Sequence, residues 1–502
     1  MMRNEGSVVP PEGQVDRSQT ASTGVIGLDD ILAGGLTRSR LFLIEGVPGS
    51  GKTTLALQFL MAGAAAGEEV LYVTLSETAD ELRAVAASHG WSLEGVTILE
   101  LMPSEAELEP EHQNTMFHPA EVELAATTKR VLEDVDRLKP SRVVFDSLSE
   151  LRLLAGAPLR YRRQILAVKQ SFATRRCTVV LLDDMTAADH DLQMQSIVHG
   201  VIRLEQLAPE YGGERRRLRV TKYRGVAYRG GLHDYVVRRG GLEVFPRLVA
   251  SEHRQATERP LLESAIAQLD SLLGGGLEAG TSTLIVGAPG TGKTTLAAQF
   301  LANLAFHGER GSFFMFDESP QTLLARCKSL HIRLPEAVES GLVAIQQVDP
   351  AELTPGEFTH GIRKAVANGA KLIVIDSLNG YLNSMPEERY LTIQLHELLS
   401  YLGQLGVATI LIGAQQGVIG TQMQTPVDAS YLADNIILLR YFETRGEVQQ
   451  ALSVMKKRGG RHERTIREFR LDDGIHVGHP LREFRGVLTG VPIYEGSDPK
   501  GS

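Results

Sequence analysis

Two short glycine-rich segments of the chain contain the residue types that bind phosphate. Residues 46–53 read GVPGSGKT and residues 287–294 read GAPGTGKT, so both fit the pattern GxxxxGK[S/T]. In both places a short β-rich run precedes the pattern and an amphipathic helical stretch follows it, which is the context of a phosphate-binding loop. Glycines allow backbone N–H groups to surround phosphate oxygens, and the following helix adds the positive end of its dipole. The alternative is a chance glycine-rich turn, and two matches in one chain disfavour it.

The pattern predicts roles for individual side chains of the two loops. Lys52 and Lys293 would reach the β- and γ-phosphates of ATP, which makes both lysines catalytic candidates as well as ligands. The hydroxyls of Thr53 and Thr294 would bind Mg²⁺. The residues predicted to bind ATP are Gly46, Pro48, Gly49, Ser50, Gly51, Lys52, Thr53, Thr54, Gly287, Pro289, Gly290, Thr291, Gly292, Lys293, Thr294 and Thr295.

Two aspartates end apolar runs that read as buried strands. Asp146 ends VVFD and Asp376 ends IVID. An acid at the carboxyl end of a buried strand is where a fold with a phosphate-binding loop holds its magnesium. The alternative is an acid that caps the helix after Ser147 or Ser377. The two loops favour the metal role for both aspartates.

A glutamate follows the second strand in each half of the chain. Glu77 stands in LSET and Glu318 in FDES. A carboxylate at this point could polarise an attacking water or hydroxyl as a general base. The alternative is an acid at a helix N-terminus that satisfies unpaired backbone amides. The same position in both halves favours the catalytic interpretation.

Two pairs of basic residues end the hairpin-like segments of the halves. Lys222 and Arg224 stand in KYRG, and Lys456 and Arg458 stand in KKRG. Alternate residues of a strand point to one face. Two cations on one face could stabilise phosphate charge in the site of a neighbouring subunit. A solvated strand edge explains the same residues equally well.

The positions of these residues indicate a duplicated domain. Lys52 and Lys293 are 241 residues apart, and so are Glu77 and Glu318. Apolar strands alternate with helical stretches in each half, which is typical of a parallel sheet covered on both faces. The sequence therefore predicts an α/β protein with two tandem RecA-like P-loop NTPase domains, each with a mainly parallel central sheet flanked by helices.

The repeat also predicts where the domains begin and end. We expect a disordered tail at residues 1–20, a first domain at 21–247, a linker at 248–260, a second domain at 261–486 and a short tail at 487–502.

Composition narrows the setting and the partners. The formal net charge is −9, which argues against a protein whose main work is to coat nucleic acid. The chain shows neither an apolar run of membrane-spanning length nor a signal-peptide core. Cys177 and Cys327 are far apart in sequence, so a disulfide framework is not expected and a cytoplasmic setting is favoured. No metal other than magnesium is expected.

The motifs together resemble the KaiC family of tandem RecA-like ATPases. The resemblance rests on GLDDILAGGL and QLDSLLGGGL, the two phosphate loops, TLSET and FDES, and RGEVQQALSVMKKRG before TIREFRL. It implies a double-ring homohexamer with ATP between neighbouring subunits, completed by the four basic residues of KYRG and KKRG. It further implies slow ATP hydrolysis in the N-terminal ring and autokinase activity in the C-terminal ring. A KaiB-like regulatory protein is the candidate partner.

The chain departs from the clock protein of that family at the acids after the second strand. The clock protein has two glutamates there, and this chain has Ser76–Glu77 and Asp317–Glu318. Asp317 joins Glu318 as a catalytic candidate, with a shorter reach toward a protein hydroxyl. The loss of the first carboxylate in the first domain would slow or reroute hydrolysis.

The phosphoacceptor region and the end of the chain also differ. The clock protein has adjacent Ser and Thr phosphoacceptors before an IILL strand, and the matching stretch here is DASYLADNIILL. Ser430 keeps the first position and Tyr431 replaces the threonine, so an ordered two-site cycle is not expected. An ordinary loop hydroxyl is the alternative for Ser430. The chain stops soon after FRGVLTGVPIYEG, where the clock protein carries a tail for a stimulatory partner, so regulation by that partner is not expected.

Three functions follow from these observations. The first is a hexameric ATPase that slowly hydrolyses Mg-ATP, with serine/threonine autokinase activity in its second domain, and acts in timing or signalling. The second is a RecA- or helicase-like ATPase that depends on nucleic acid, which the acidic charge disfavours. The third is a ring scaffold that uses ATP only for assembly.

Overall fold

The structure is a computed structural model, and it divides the chain into two compact domains at residues 247/248. It describes residues 19–101, 119–185, 192–208, 212–253, 259–349, 351–383, 390–415, 431–444, 446–489 and 492–494.

The first domain alternates strands and helices up to its last hairpins. Its strands are β1 (Thr20–Ala21), β2 (Leu36–Thr37), β3 (Leu41–Gly46), β4 (Val70–Thr74), β5 (Val96–Glu100), β6 (Arg142–Asp146), β7 (Thr178–Asp183), β8 (Gly200–Leu207), β9 (Arg215–Tyr223), β10 (His233–Arg238) and β11 (Gly241–Phe245). Its helices are α1 (Ile26–Ile31), α2 (Lys52–Ala65), α3 (Ala79–Ser88), α4 (Pro119–Leu138), α5 (Leu148–Ala155), α6 (Pro158–Thr174) and α7 (Leu192–Ile197).

The main sheet of this domain has the order β11-β10-β9-β8-β3-β7-β6-β4-β5. The six strands from β8 to β5 are parallel, and the three others are antiparallel additions at one edge. Every residue of β3, β4, β6 and β7 is buried, because helices cover both faces of a parallel sheet. The carboxyl ends of β3, β4, β6 and β7 therefore meet at one edge of the sheet.

The second domain repeats this plan. Its strands are β12 (Leu261–Leu262), β13 (Leu277–Glu278), β14 (Ser282–Gly287), β15 (Arg310–Met315), β16 (Val343–Gln347), β17 (Ala370–Asp376), β18 (Ala408–Ala414), β19 (Asn435–Thr444), β20 (Glu447–Lys457), β21 (Arg467–Leu471), β22 (Ile475–Pro480), β23 (Phe484–Arg485) and β24 (Ile493–Tyr494). Its helices are α8 (Ala267–Leu272), α9 (Lys293–Phe306), α10 (Pro320–Ser329), α11 (Leu334–Glu339), α12 (Pro355–Ala367), α13 (Leu378–Asn383) and α14 (Leu391–Gln404). Its main sheet runs β16-β15-β17-β18-β14-β19-β20-β21-β22, parallel from β16 to β19 and antiparallel beyond. The predicted fold class is confirmed.

The ends of the domains are packed more fully than their polar sequence indicates. Thr20, which we assigned to the terminal tail, is buried in β1. Leu248, which we assigned to the linker, is buried in the core of the second domain, and the ring of His253 meets that of Tyr401 edge-on. Val487, assigned to the final tail, packs with Phe442. Thr20, Leu248 and Val487 are buried although the surrounding sequence is polar.

A buried charge cluster fastens β6 to helix α2 and to the residues that follow that helix. Arg142 is only 2% exposed, and its guanidinium donates to Glu68 Oε2 at 2.7 Å and to the backbone carbonyls of Ser22 and Phe59 at 2.7 Å each. Arg38 also donates to Glu68, at 2.7 Å. These arginines hold the pKa of Glu68 at about 2, although burial of the carboxylate acts in the opposite direction. The position that matches Arg142 in the second domain is Leu372, so the cluster belongs to the first domain.

The cluster makes the stability of the first domain depend on acid pH. Because the folded-state pKa of Glu68 is lowered from 4.5 to about 2, its contribution is complete above pH 4.5 and is lost as the pH falls toward 2. We expect Glu68→Gln to lower the free energy of unfolding by about 2 kcal/mol at pH 7, because Arg142 loses its charged partner in a buried site. Urea denaturation between pH 7 and pH 3 measures the free energy of unfolding of the unmodified chain and of the Glu68→Gln variant. The difference between these two free energies should decrease toward acid pH. Glu69→Gln, at the exposed neighbouring residue, is the control. A difference in unfolding free energy that does not change with pH would contradict the lowered pKa of Glu68.

Candidate functional site

The first phosphate loop leaves the buried strand β3 and runs directly into helix α2. Gly49 and Gly51 have φ of 83° and 91°, and in the second domain Gly290 and Gly292 have 79° and 92°. These are left-handed conformations that residues with a Cβ avoid, so glycine is required for the loop to curl. The hydroxyl oxygen of Ser50 is buried and has no hydrogen-bond partner among the described residues.

Each loop lysine is buried beneath its own loop. Lys52 Nζ donates to the carbonyl of Gly46 at 2.8 Å and forms an ion pair with Asp184 Oδ1 at 2.8 Å. Lys293 Nζ donates to the carbonyl of Ala288 at 2.8 Å, and burial lowers its pKa. Each ammonium group therefore contacts a backbone carbonyl of its own loop, next to the N-terminus of the helix that follows the loop. This arrangement fits a polyphosphate.

A hydroxyl meets a carboxylate beside each loop. Thr53 Oγ1 donates to Asp146 Oδ2 at 3.4 Å, and Thr294 Oγ1 donates to Asp376 Oδ2 at 2.7 Å. Both aspartates are buried, and burial raises the pKa of each, that of Asp376 to about 6. Two oxygen donors from the protein, with phosphate and water for the other positions, form the donor set that Mg²⁺ prefers. Ser147 makes no side-chain cap at the start of α5, and Asp146 faces the loop.

Tyr72 and Asp184 are site residues that the sequence analysis missed. Tyr72 donates from its buried hydroxyl to Asp146 Oδ2 at 2.5 Å, and the matching residue of the second domain is Phe313. Asp184 directly follows β7, and its match is Ala414. Asp184 could have been found from the sequence, because TVVLLDD also ends at the edge where VVFD ends. Tyr72 gives no such signal, because it lies inside a strand and reads as core.

Glu77 lies half-buried at the same edge of the first sheet. Thr74 fixes its backbone, since the threonine hydroxyl accepts from the N–H of Glu77 at 2.9 Å and donates to its carbonyl at 2.7 Å. Its Oε2 atom is buried and has no hydrogen-bond partner in the described part of the chain. Burial, followed by the negative charge of Asp146, raises the pKa of Glu77. A carboxylate with a free buried oxygen and a raised pKa is suited to accept a proton.

The acids of the second domain are arranged differently. Both oxygens of Glu318 accept from Arg326, each at 2.8 Å. Asp317 Oδ2 accepts from the hydroxyl of Ser377 at 2.6 Å, next in sequence to Asp376. The repeat predicts one role for Glu77 and Glu318, but the structure gives the two carboxylates different partners.

The basic pairs lie at the opposite edge of their sheets from the loops. In the first domain the end of β9 pairs with the start of β8, and β8 runs parallel to β3, so Lys222 and Arg224 are about one strand length, roughly 20 Å, from their own loop. Both side chains donate to the carbonyl of Ser196, at 3.3 and 2.8 Å. In the second domain Lys456 donates to the carbonyl of Ala433 at 2.7 Å, and Arg458 pairs with Asp434 at 3.0 Å. Neither pair can reach the loop of its own domain.

The predicted phosphoacceptors stand just before β19. Ser430 lies outside the described residues. Tyr431 is 56% exposed, and the next residue, Leu432, is buried.

The remaining candidates are structural. Cys177 and Cys327 are buried free thiols, and burial raises their pKa values to about 11 and 12. The arginine-rich strand β9 is largely neutralised, because Arg217 pairs with Asp234 at 3.5 Å and Arg219 pairs with Glu205 at 3.5 Å. Across the described ranges, no three or more His, Cys, Asp and Glu side chains form a metal-binding group, and no helix is both long and apolar enough to span a membrane.

Two mainly parallel sheets, each with a phosphate loop, a buried lysine and a threonine–aspartate pair, define a tandem P-loop nucleotide-binding protein of the RecA-like class. A family model described as "ATPase: KaiC" matches the chain twice, over residues 21–249 and 262–482. The chain therefore belongs to the KaiC family of ATPases.

Curated relatives match over almost the whole chain. "Circadian clock protein KaiC3" of Synechocystis sp. is 27% identical over 500 residues, which cover 96% of each protein. "Circadian clock oscillator protein KaiC" of Synechococcus elongatus is 29% identical over 481 residues, which cover 94% of this chain and 91% of the relative. The protein of that name from Thermostichus vulcanus is 27% identical over 501 residues, which cover 98% and 95%.

Proposed function

We propose that the chain is a Mg-ATPase with one ATP site in each domain. The observation that supports this most is the duplicated set of loop lysine, loop threonine and strand-end aspartate at the carboxyl edge of each sheet. Lys52 and Lys293 would hold the β- and γ-phosphates. Thr53, Asp146, Thr294 and Asp376 would hold Mg²⁺, which supplies positive charge to the phosphates when it is bound.

In the first domain Glu77 acts as the general base. A water oxygen attacks the γ-phosphorus, the bond from that phosphorus to the leaving oxygen of ADP breaks, and the water proton passes to the carboxylate. Two observations support this role: Oε2 of Glu77 has no hydrogen-bond partner in the part of the chain that the structure describes, and the pKa of Glu77 is raised.

The active assembly is a homohexamer with two rings, in which each ATP lies between neighbouring subunits. Lys222 and Arg224, with Lys456 and Arg458, complete the site of the neighbour and stabilise phosphate charge there. Support comes from their position at the edge of the sheet that is opposite to their own loop. The resemblance to the KaiC family implies the same arrangement.

The second domain transfers phosphate to its own chain at a low rate. Ser430 and Tyr431 are the acceptors, and the exposed ring of Tyr431 supports access to its hydroxyl. The protein acts in the cytoplasm in timing or signalling, with itself and a KaiB-like regulatory protein as partners. The role in timing is suggested by the names of the relatives. The autokinase activity and the KaiB-like partner rest on the resemblance, and the cytoplasmic setting rests on the two separate cysteines.

One incubation tests both activities. The purified chain, mixed with Mg²⁺ and ATP labelled at the γ-phosphate, should release free phosphate and incorporate a smaller amount of label into residues 430–431. Lys52→Ala should remove most of the free phosphate, and Lys293→Ala should remove the incorporated label, because each lysine serves one site. If both signals persist in the double variant, the proposal is wrong.

A further inference from the structure

The second domain contains an ion pair that the first domain lacks, and it involves one of the predicted catalytic acids. Glu318 lies just after β15, and Arg326 lies eight residues further along, on helix α10. The guanidinium reaches back along the helix and donates one N–H to each carboxylate oxygen, at 2.8 Å in both cases. The fork geometry of arginine makes this bidentate contact stronger and more directional than a single hydrogen bond.

The first domain has an apolar residue at the position that matches Arg326. Glu77 and Glu318 match in the repeat, and the match of Arg326 is Val85 on α3, which packs against the core. Among the described residues, Glu77 therefore keeps a buried oxygen without a hydrogen-bond partner, while each oxygen of Glu318 accepts from Arg326. Both domains have a glutamate after the second strand, but the two carboxylates differ in how free they are to accept a proton.

We infer that Arg326 is a positioning residue that withholds Glu318 from the water beside the second ATP, so that the second domain retains ATP and hydrolyses it slowly. This rests on the proposed ATPase function. In hydrolysis the water proton must pass to a carboxylate lone pair as the bond between the γ-phosphorus and ADP breaks. One lone pair on each oxygen of Glu318 is directed to the guanidinium instead, and this bidentate contact holds the carboxylate toward α10.

Asp317 does not replace Glu318 in this role. Its Oδ2 accepts from Ser377 at 2.6 Å, and its side chain is one methylene shorter than that of a glutamate. The pair itself is breakable, because the side chains of Glu318 and Arg326 are 25% and 35% exposed. Release of Arg326 would therefore switch on turnover in the second domain.

The test uses the full chain with the first site silenced by Glu77→Gln. In this background Arg326→Gln should raise the remaining turnover on the order of a hundredfold, the lower end of the roughly 10²- to 10⁴-fold contribution of a positioned general base. KM for ATP should stay within about twofold, because Arg326 does not touch the loop. Arg326→Lys keeps the positive charge beside Glu318 but loses the bidentate contact, so it should raise turnover much less. Arg467→Gln is the matched control, because Arg467 also binds both oxygens of a glutamate in this domain, Glu463, at 2.9 Å each.

The gain must depend on Glu318. If Glu318→Gln added to the Arg326→Gln variant returns turnover to the background level, the inference is supported. An unchanged turnover in Arg326→Gln, or a gain that survives Glu318→Gln, would overturn the inference and leave the ATPase proposal intact. If Glu77→Gln by itself leaves turnover at the level of the unmodified chain, the position after the second strand does not supply the base, and both claims fall.

Discussion

Glu77→Gln is expected to lower ATP turnover by roughly 10²- to 10⁴-fold at the first site, which is the contribution of a positioned general base. The amide keeps the size of the side chain but cannot take up the proton of the attacking water. ATP binding should persist, because Lys52 and Thr53 are untouched. Phosphate release and equilibrium binding of a fluorescent ATP analogue, measured on the same preparation, separate the two effects.

Two control variants define what this result means. Glu94→Gln changes an exposed acid of the same domain and should leave turnover unchanged. Glu318→Gln changes the repeat partner of Glu77 and should cause a much smaller loss, because Arg326 already occupies that carboxylate. Equal losses in Glu77→Gln and Glu318→Gln would show that the two domains contribute alike and would contradict the asymmetry.

Replacing Lys222 and Arg224 by alanine together is expected to lower turnover at the first site by about 10³-fold or more, the usual contribution of a basic residue supplied from a neighbour. The loop of the same chain is intact in this variant, so it should still bind ATP. Because both side chains donate to carbonyls at the end of α7, thermal denaturation must first show that the variant is folded.

Mixing two inactive variants tests whether the residues act between subunits. The Lys52→Ala chain has a defective phosphate loop and an intact basic pair. The Lys222→Ala/Arg224→Ala chain has an intact phosphate loop and lacks the basic pair. Glu318→Gln in both chains minimises turnover at the second site. Joint assembly should restore a fraction of the turnover, because some interfaces then join an intact loop to an intact basic pair. If mixed assemblies form and remain inactive, the basic residues do not complete a neighbouring site.

The duplicated fold was predictable because its signals are local and periodic. Gly51, the fixed glycine before the loop lysine, has a φ of 91°, and Gly49, at a variable position of the pattern, has a φ of 83°. Buried parallel strands read as continuous apolar runs, so VVFD and IVID also gave the edge of the sheet at which Asp146 and Asp376 lie. The loops, their lysines and the threonine–aspartate contacts follow from these patterns.

The differences between the domains were not predictable, because they depend on residues outside the motifs. Tyr72 changes the surroundings of Asp146, but a tyrosine within a buried strand reads as core. Arg326 binds Glu318 from two helical turns away, and an arginine on an amphipathic helix reads as a solvated face. The repeat therefore predicted the same role for Glu77 and Glu318, and only the partners of the two side chains show that their surroundings differ.

The number of ATP molecules that one chain binds tests the central claim most directly. Equilibrium dialysis with Mg²⁺ and a hydrolysis-resistant ATP analogue should give two bound nucleotides per chain, and Lys52→Ala and Lys293→Ala should each weaken one of the two. One bound nucleotide in the unmodified chain, or a lysine variant that binds as the unmodified chain does, would contradict a functional site in each domain.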